Sequence, residues 1–164
     1  MGTSVTIAAA TDSDAEQILK LQYLCYQSEA AQYADWRIDP LTETLAQFRA
    51  HLTSGRVLVA RREDEIVGSV RATVQSDAMA CISRLFVHPR MRRHGLGGRL
   101  LIRIEECLAA EGVATRYRLN TDRRSDGNLR LYRRCGYATI GTRSDAGPRR
   151  VTLVTMEKTA PARQ

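Results

Sequence analysis

No stretch of this chain approaches the roughly 20 consecutive apolar residues that a membrane-spanning helix needs. The opening MGTSVTIAAATDSD lacks both a basic region and a long apolar run, so no secretory leader is expected and the cytoplasm is the expected location. Cysteine is scarce and scattered: Cys25, Cys81, Cys107 and Cys135 form no C-x-x-C pair, and none of the three histidines stands beside them at metal-ligand spacing. Structural zinc, a metal centre and a disulfide framework are therefore not expected, and the thiols read as buried and free. Repeats and an interdomain linker are also missing.

The 164 residues and 43% apolar content suit a single domain with a real core. The formal charge is +7, and arginine supplies 23 of the 25 basic residues. Such a surface favours anionic partners. Nucleic acid as a partner would rest on charge alone and is not expected.

Alternating, β-branched runs mark seven strands near residues 4–9, 56–62, 66–74, 81–87, 115–120, 137–142 and 151–158. Four helices fit between them. The first opens at Thr11 and Ser13 and buries Ala15, Ile18, Leu21 and Cys25. A second starts at Asp39-Pro40 and carries Leu41, Leu45, Phe48 and Leu52 on one face. A third runs from the glycines near residue 95 to Gly112, and a short fourth covers 128–134. Hairpins in the first half and helical crossovers in the second imply an α/β fold built on one mixed sheet. The domain is expected to span 1–158, with a disordered tail at 159–164.

The stretch HPRMRRHGLGGRLL, residues 88–101, joins four arginines and three glycines to the start of an amphipathic helix. No Lys follows the glycines, which excludes a P-loop. The dinucleotide pattern G-x-G-x-x-G fails at Leu100 and would sit on the wrong strand. What fits is R-x-x-G-x-G, at Arg92, Gly95 and Gly97. Glycine lets backbone approach a ligand closely, and unpaired amides at a helix N-terminus favour an anion such as pyrophosphate. Together with the preceding strand, SRLFVHPRMRRHGLGGRLL resembles motif A of the GNAT superfamily of N-acetyltransferases. LYRRCGY, residues 131–137, is similar to that family's motif B, L-Y-x-x-x-G-F/Y.

The resemblance implies a GNAT fold with two splayed parallel central strands, 81–87 and 115–120, that hold acetyl-CoA. The main chain of Leu85, Phe86 and Val87 would pair with the pantetheine arm. Arg92, Arg93, His94, Gly95, Leu96, Gly97 and Gly98 would hold the pyrophosphate. Relatives often place Asn seven residues before the motif B tyrosine; that position is Ser125 here, so Asn120 or Asn128 would take over the contact with the arm. The implied reaction is direct acetyl transfer to a primary amine. An amide near Val87 would stabilise the oxyanion and Tyr132 would protonate the departing thiolate. Many relatives carry a basic Glu on the central strand, but CISRLFV has no carboxylate. Ser83, relaying through water, and Asp122 are the candidates, and an acceptor of lowered pKa would need neither.

Acceptors in this family usually meet the first two helices and the loop between them, here YLCYQSEAAQYADWRI. Tyr23, Tyr26, Tyr33, Trp36 and Arg37 lie there, with Glu29 and Asp35 as receivers for an ammonium. The expected partner is a small-molecule amine. A protein or peptide N-acetyltransferase and a non-catalytic acetyl-CoA sensor are the alternatives, and a homodimer is compatible with the resemblance.

Overall fold

The computed structural model describes residues 4–33, 39–144 and 151–161, apart from the side chains of Ser28, Glu29, Gln32 and Tyr33. These residues form seven strands: β1 (Val5–Ala9), β2 (Arg56–Arg62), β3 (Glu65–Gln75), β4 (Met79–Val87), β5 (Arg116–Asp122), β6 (Ala138–Ser144) and β7 (Thr152–Thr159). They form one mixed sheet in the order β1-β2-β3-β4-β5-β7-β6. Among the described residues five α-helices accompany it: α1 (Ala15–Tyr33), α2 (Asp39–Thr42), α3 (Leu45–Ser54), α4 (Leu96–Glu111) and α5 (Asp126–Arg134). β4 and β5 are the parallel pair, joined by the α4 crossover that parallel strands require. Their ladder covers only Met79 to Cys81 against Arg116 to Arg118, while β5 pairs with β7 along its whole length.

The chain divides into two compact units. The first comprises residues 1–72 and 84–104, and its core gathers Ala15, Ile18, Leu19, Leu21 and Cys25 of α1 with Phe48, Val57, Val59, Ile66 and Phe86. The α1 residues recur at helical spacing, so burying one face of that helix accounts for them. Thr11 starts the helix through a short 3₁₀ turn, its amide donating to Asp14 Oδ2 at 2.9 Å. Gly68 on β3 is pressed from two sides: an added Cβ would sit 3.0 Å from Leu100 Cδ1 and 3.1 Å from the Phe86 carbonyl oxygen.

The expected second helix is two. The break falls at Glu43-Thr44, and tertiary chemistry explains it. Glu43 is buried, and its carboxylate accepts from Arg71 Nη1 at 2.8 Å and Nη2 at 2.6 Å, and from Gln22 Nε2 at 3.0 Å. Gln22 also donates to the Pro40 carbonyl at 2.9 Å and accepts from Arg71 Nη2 at 3.0 Å. Fixing Glu43 this way ends α2, and Thr44 restarts the chain with a reciprocal capping box: Gln47 N donates to Thr44 Oγ1 at 3.1 Å and Thr44 N to Gln47 Oε1 at 2.8 Å.

The second unit comprises residues 73–83 and 105–164. It buries Tyr117 and Leu119 of β5, Val154 and Met156 of β7, Leu108, Leu129 and Tyr137. Buried Glu105 is satisfied inside it, accepting from Lys158 Nζ at 2.7 Å and Tyr137 Oη at 2.8 Å, while Tyr117 donates to its main-chain carbonyl at 3.2 Å. The sheet runs past the expected domain end at 158: Thr159 belongs to β7, and the Ala160 amide donates to the Thr115 carbonyl at 2.8 Å.

Gly68→Ala forces backbone or Leu100 to move, and is expected to cost about 1–3 kcal/mol in urea unfolding. Burial raises the Glu43 carboxyl, but bonds from Arg71 and Gln22 and the Arg71 charge outweigh it, taking the pKa from 4.5 down to about 2. The folded value lies below the unfolded one, so this stabilisation is full above the unfolded pKa and fades as pH falls toward the folded one. It amounts to roughly 3 kcal/mol. The urea midpoint of the wild type should therefore fall between about pH 5 and about pH 3, and more steeply than that of Glu43→Gln.

Candidate active site

The link from β4 to α4 is built from short-range bonds. His88 N donates to the Val67 carbonyl at 2.8 Å, and the His88 ring Nδ1 accepts from Arg90 N at 3.1 Å. Pro89 opens a single 3₁₀ turn, Pro89–Met91. The backbone then passes through left-handed conformations at Arg93 (φ 68°) and Gly95 (φ 74°). Only glycine adopts the second without a Cβ penalty. Buried Leu96 anchors the first turn of α4, and Arg99 N closes the first helical bond on the Gly95 carbonyl at 3.1 Å. Helix geometry leaves the amides of Leu96, Gly97 and Gly98 without partners in a preceding turn. Arg92, Arg93, His94 and Gly95 are exposed around them, and no acidic residue lies in that first turn. The result is a concentration of amide donors and positive charge, suited to a diphosphate.

Nearby in the same unit, buried Phe86 packs T-shaped with Tyr26, ring centroids 6.1 Å apart, while Leu85 and Val87 are half-buried. The Cys25 thiol donates to the Val87 carbonyl at 3.4 Å. Burial pushes the thiol up to about 11, against the opposing influence of Arg92. Tyr23 is a packing residue here, its hydroxyl donating to the Glu43 carbonyl. The strand's departure from extended backbone falls at Arg84 (φ 50°), three residues before Val87. Trp36 and Arg37 lie outside the described residues.

The remaining predicted residues belong to the second unit. Ser83 and Asn128 are exposed on β4 and α5. Asn120 is exposed on β5, its Oδ1 accepting from Thr155 Oγ1 at 2.6 Å. Tyr132 is buried on α5, its ring tilted 60° to that of Tyr137 at 6.3 Å. Asp122 has a task that conflicts with the expected base. Oδ1 accepts from Arg124 N at 2.9 Å and Nε at 3.0 Å, and Oδ2 from Nη2 at 2.8 Å. Burial alone would raise its carboxyl, but these Arg124 contacts hold it below the usual range. Such a carboxylate gains a proton reluctantly; it braces the turn into α5.

The profile of the Acetyltransferase (GNAT) family matches residues 15–137, three quarters of the chain. The chain belongs to the acetyltransferase (GNAT) family. A protein named IAA acetyltransferase from Azospirillum brasilense is 35% identical over 104 residues, which cover 63% of this chain and 67% of that one. The ribosomal-protein-S18-alanine N-acetyltransferase of Escherichia coli superposes with a TM-score of 0.79 at 16% identity, covering 98% of this chain and 97% of that one. The yncA protein of Salmonella typhimurium, solved with its cofactor acetyl-CoA, gives 0.77 at 19% identity, covering 98% and 96%.

This GNAT protein is thus an acetyl-CoA-dependent acetyltransferase. Its own residues suit the coenzyme: the left-handed Gly95, the open amides of residues 96–98 and the flanking arginines match a diphosphate in charge and in donor chemistry. Among the described residues no helix is long and apolar enough to cross a membrane, and no group of three or more His, Cys, Asp or Glu side chains could hold a metal ion. The four cysteines are free.

Three polar features of the acetyltransferase escaped the sequence reading: Glu43, Arg71 and Arg84. The signal for Arg71 was a lone charge inside the apolar run IVGSVRATV, which an edge-facing arginine would also give. The raised Cys25 thiol carries its own test. In the folded protein it should react with iodoacetamide at least 10-fold more slowly near neutral pH than in urea; mass spectrometry of the labelled peptide reads this directly.

Proposed function

We propose that this acetyltransferase moves the acetyl group of acetyl-CoA directly to the primary amine of a small-molecule acceptor. The observation that carries the coenzyme side is the left-handed turn that opens the α4 amides. A small acceptor is supported by the relative named for IAA, which is 35% identical over 104 residues.

The roles follow from chemistry at named atoms. The amides of residues 96–98, with Arg92, Arg93 and His94 around them, hold the pyrophosphate. The main chain of Leu85, Phe86 and Val87 takes the pantetheine arm, with Asn120 or Asn128 as a further hydrogen-bonding group. When bound, the coenzyme supplies a thioester carbon open to a neutral amine. The amide of Val87 is the candidate oxyanion donor. The Tyr132 hydroxyl donates a proton to the departing sulfur. Ser83 remains the candidate for relaying the proton from the ammonium through water; Asp122, tied to Arg124, is withdrawn from that role.

Release of free CoA thiol over a panel of small amines and of peptide N-termini tests the acceptor class. Turnover with a small amine is expected; turnover with peptides alone would replace this reading with protein acetylation, and acetyl-CoA binding without any turnover would replace it with a sensor. Tyr132→Phe should lower kcat by about 10²-fold with little change in acetyl-CoA affinity. Gly97→Glu should raise the acetyl-CoA Kd at least 10-fold, by placing negative charge at the diphosphate site, with its melting temperature checked for intact folding.

A further inference from the structure

The first unit places two guanidinium groups around one carboxylate. Arg71 and Glu43 are 5% and 7% exposed, and Arg71 directs both terminal nitrogens at Glu43 and Gln22. Both Glu43 oxygens are thereby engaged. Arg84 of β4 also acts on Glu43 electrostatically, yet its Nε is buried without a hydrogen-bond partner among the described residues. His51 brings its Nε2 to 3.8 Å from Glu43 Oε2. It adds no further positive charge, because burial, Arg71 and Arg84 outweigh Glu43 and favour its neutral form. Among the described residues one carboxylate thus faces two guanidinium charges, and the second guanidinium carries an unused buried donor. Leaving such a donor unmet is unfavourable, and natural structures rarely do so without a function for it.

We propose that Arg84 receives a carboxylate carried by the acceptor, so that the substrates are amines bearing a carboxylate, of the α-amino-acid type. This rests on the reading of small-amine acetylation above. Arg84 is half-buried, and the edge formed by its unpartnered Nε and the neighbouring terminal nitrogen matches the two oxygens of a carboxylate side by side. Glu43 is not that partner in the structure: its bonds come from Arg71 and Gln22, and Arg84 Nε has none. The coenzyme's diphosphate has its own amides and arginines at residues 92–98. The side chains that share Arg84's surroundings, Glu43 and His51, come instead from the α2–α3 segment.

The test compares α-amino acids with their decarboxylated amines as acceptors for the full chain with acetyl-CoA, with acetyl-CoA affinity measured separately by calorimetry. The wild type should favour the carboxylate-bearing member of a pair at least 10-fold in kcat/KM. Arg84→Gln should erase that preference by raising KM for the amino acid, and Arg84→Lys should restore part of it. Equal wild-type rates on both members overturn the inference, as does a variant that weakens both alike. A loss of acetyl-CoA affinity in Arg84→Gln would assign the residue to a coenzyme phosphate and overturn it too. The wild-type comparison stands even if the variants fold poorly. Failure to bind acetyl-CoA at all would sink the functional reading itself, whereas coenzyme binding and turnover without carboxylate preference would sink only this inference.

Discussion

The backbone reversal between β4 and α4 is the constraint on which the site depends. The chain leaves the strand, makes one tight turn at Pro89, and passes through left-handed backbone at Arg93 and Gly95 before Leu96 locks the helix into the core. Each step limits the next. Were Gly95 a residue with a Cβ, the left-handed step would be strained although nothing crowds it. Were Leu96 not buried, the first amides of α4 would have no fixed direction. Gly68 sets the same helix from below, by letting Leu100 and the Phe86 carbonyl lie close to β3. The donor array at the helix start is therefore a consequence of packing several residues away.

Each unit also buries a glutamate and engages both of its carboxylate oxygens. Glu43 is held by a two-pronged arginine and an amide, a geometry that lysine cannot reproduce. Glu105 is held by a lysine, one of only two in the chain, and by a tyrosine hydroxyl. Breaking either network by removing one partner would leave an uncompensated buried charge, which is far more damaging than never having had the pair. The arginine-rich composition thus serves the interior as well as the anion-binding surface. Arg71 is interior, Arg92 and Arg93 are exposed at the turn, and Arg124 braces a carboxylate.

Much of this was legible in the sequence, and for physical reasons. Strands announced themselves by alternation, α4 by its apolar stripe at 96, 100, 101, 104 and 108, and the anion-binding turn by glycine spacing after a strand. The miss in the second helix has a specific cause. Asp39, Pro40 and the apolar residues to Leu52 carry one continuous helical pattern, and what breaks it is a bond from Arg71, 28 residues further along. Local pattern holds no trace of such a contact. The left-handed backbone at Arg84 is likewise invisible, since arginine rarely adopts it and no glycine marks the place. Asp122 looked like a base because it stands at the end of a strand; Arg124, two residues on, was in view but its grip was not.

The most direct measurement is a ¹⁵N-resolved NMR titration of the whole chain with coenzyme A, following the backbone amides of Leu96, Gly97 and Gly98. If these amides grip the diphosphate, their resonances shift most and do so with a single saturable affinity, and 3′-dephospho-coenzyme A shifts them as strongly. Large shifts elsewhere, with these three amides unmoved at saturation, would contradict the account.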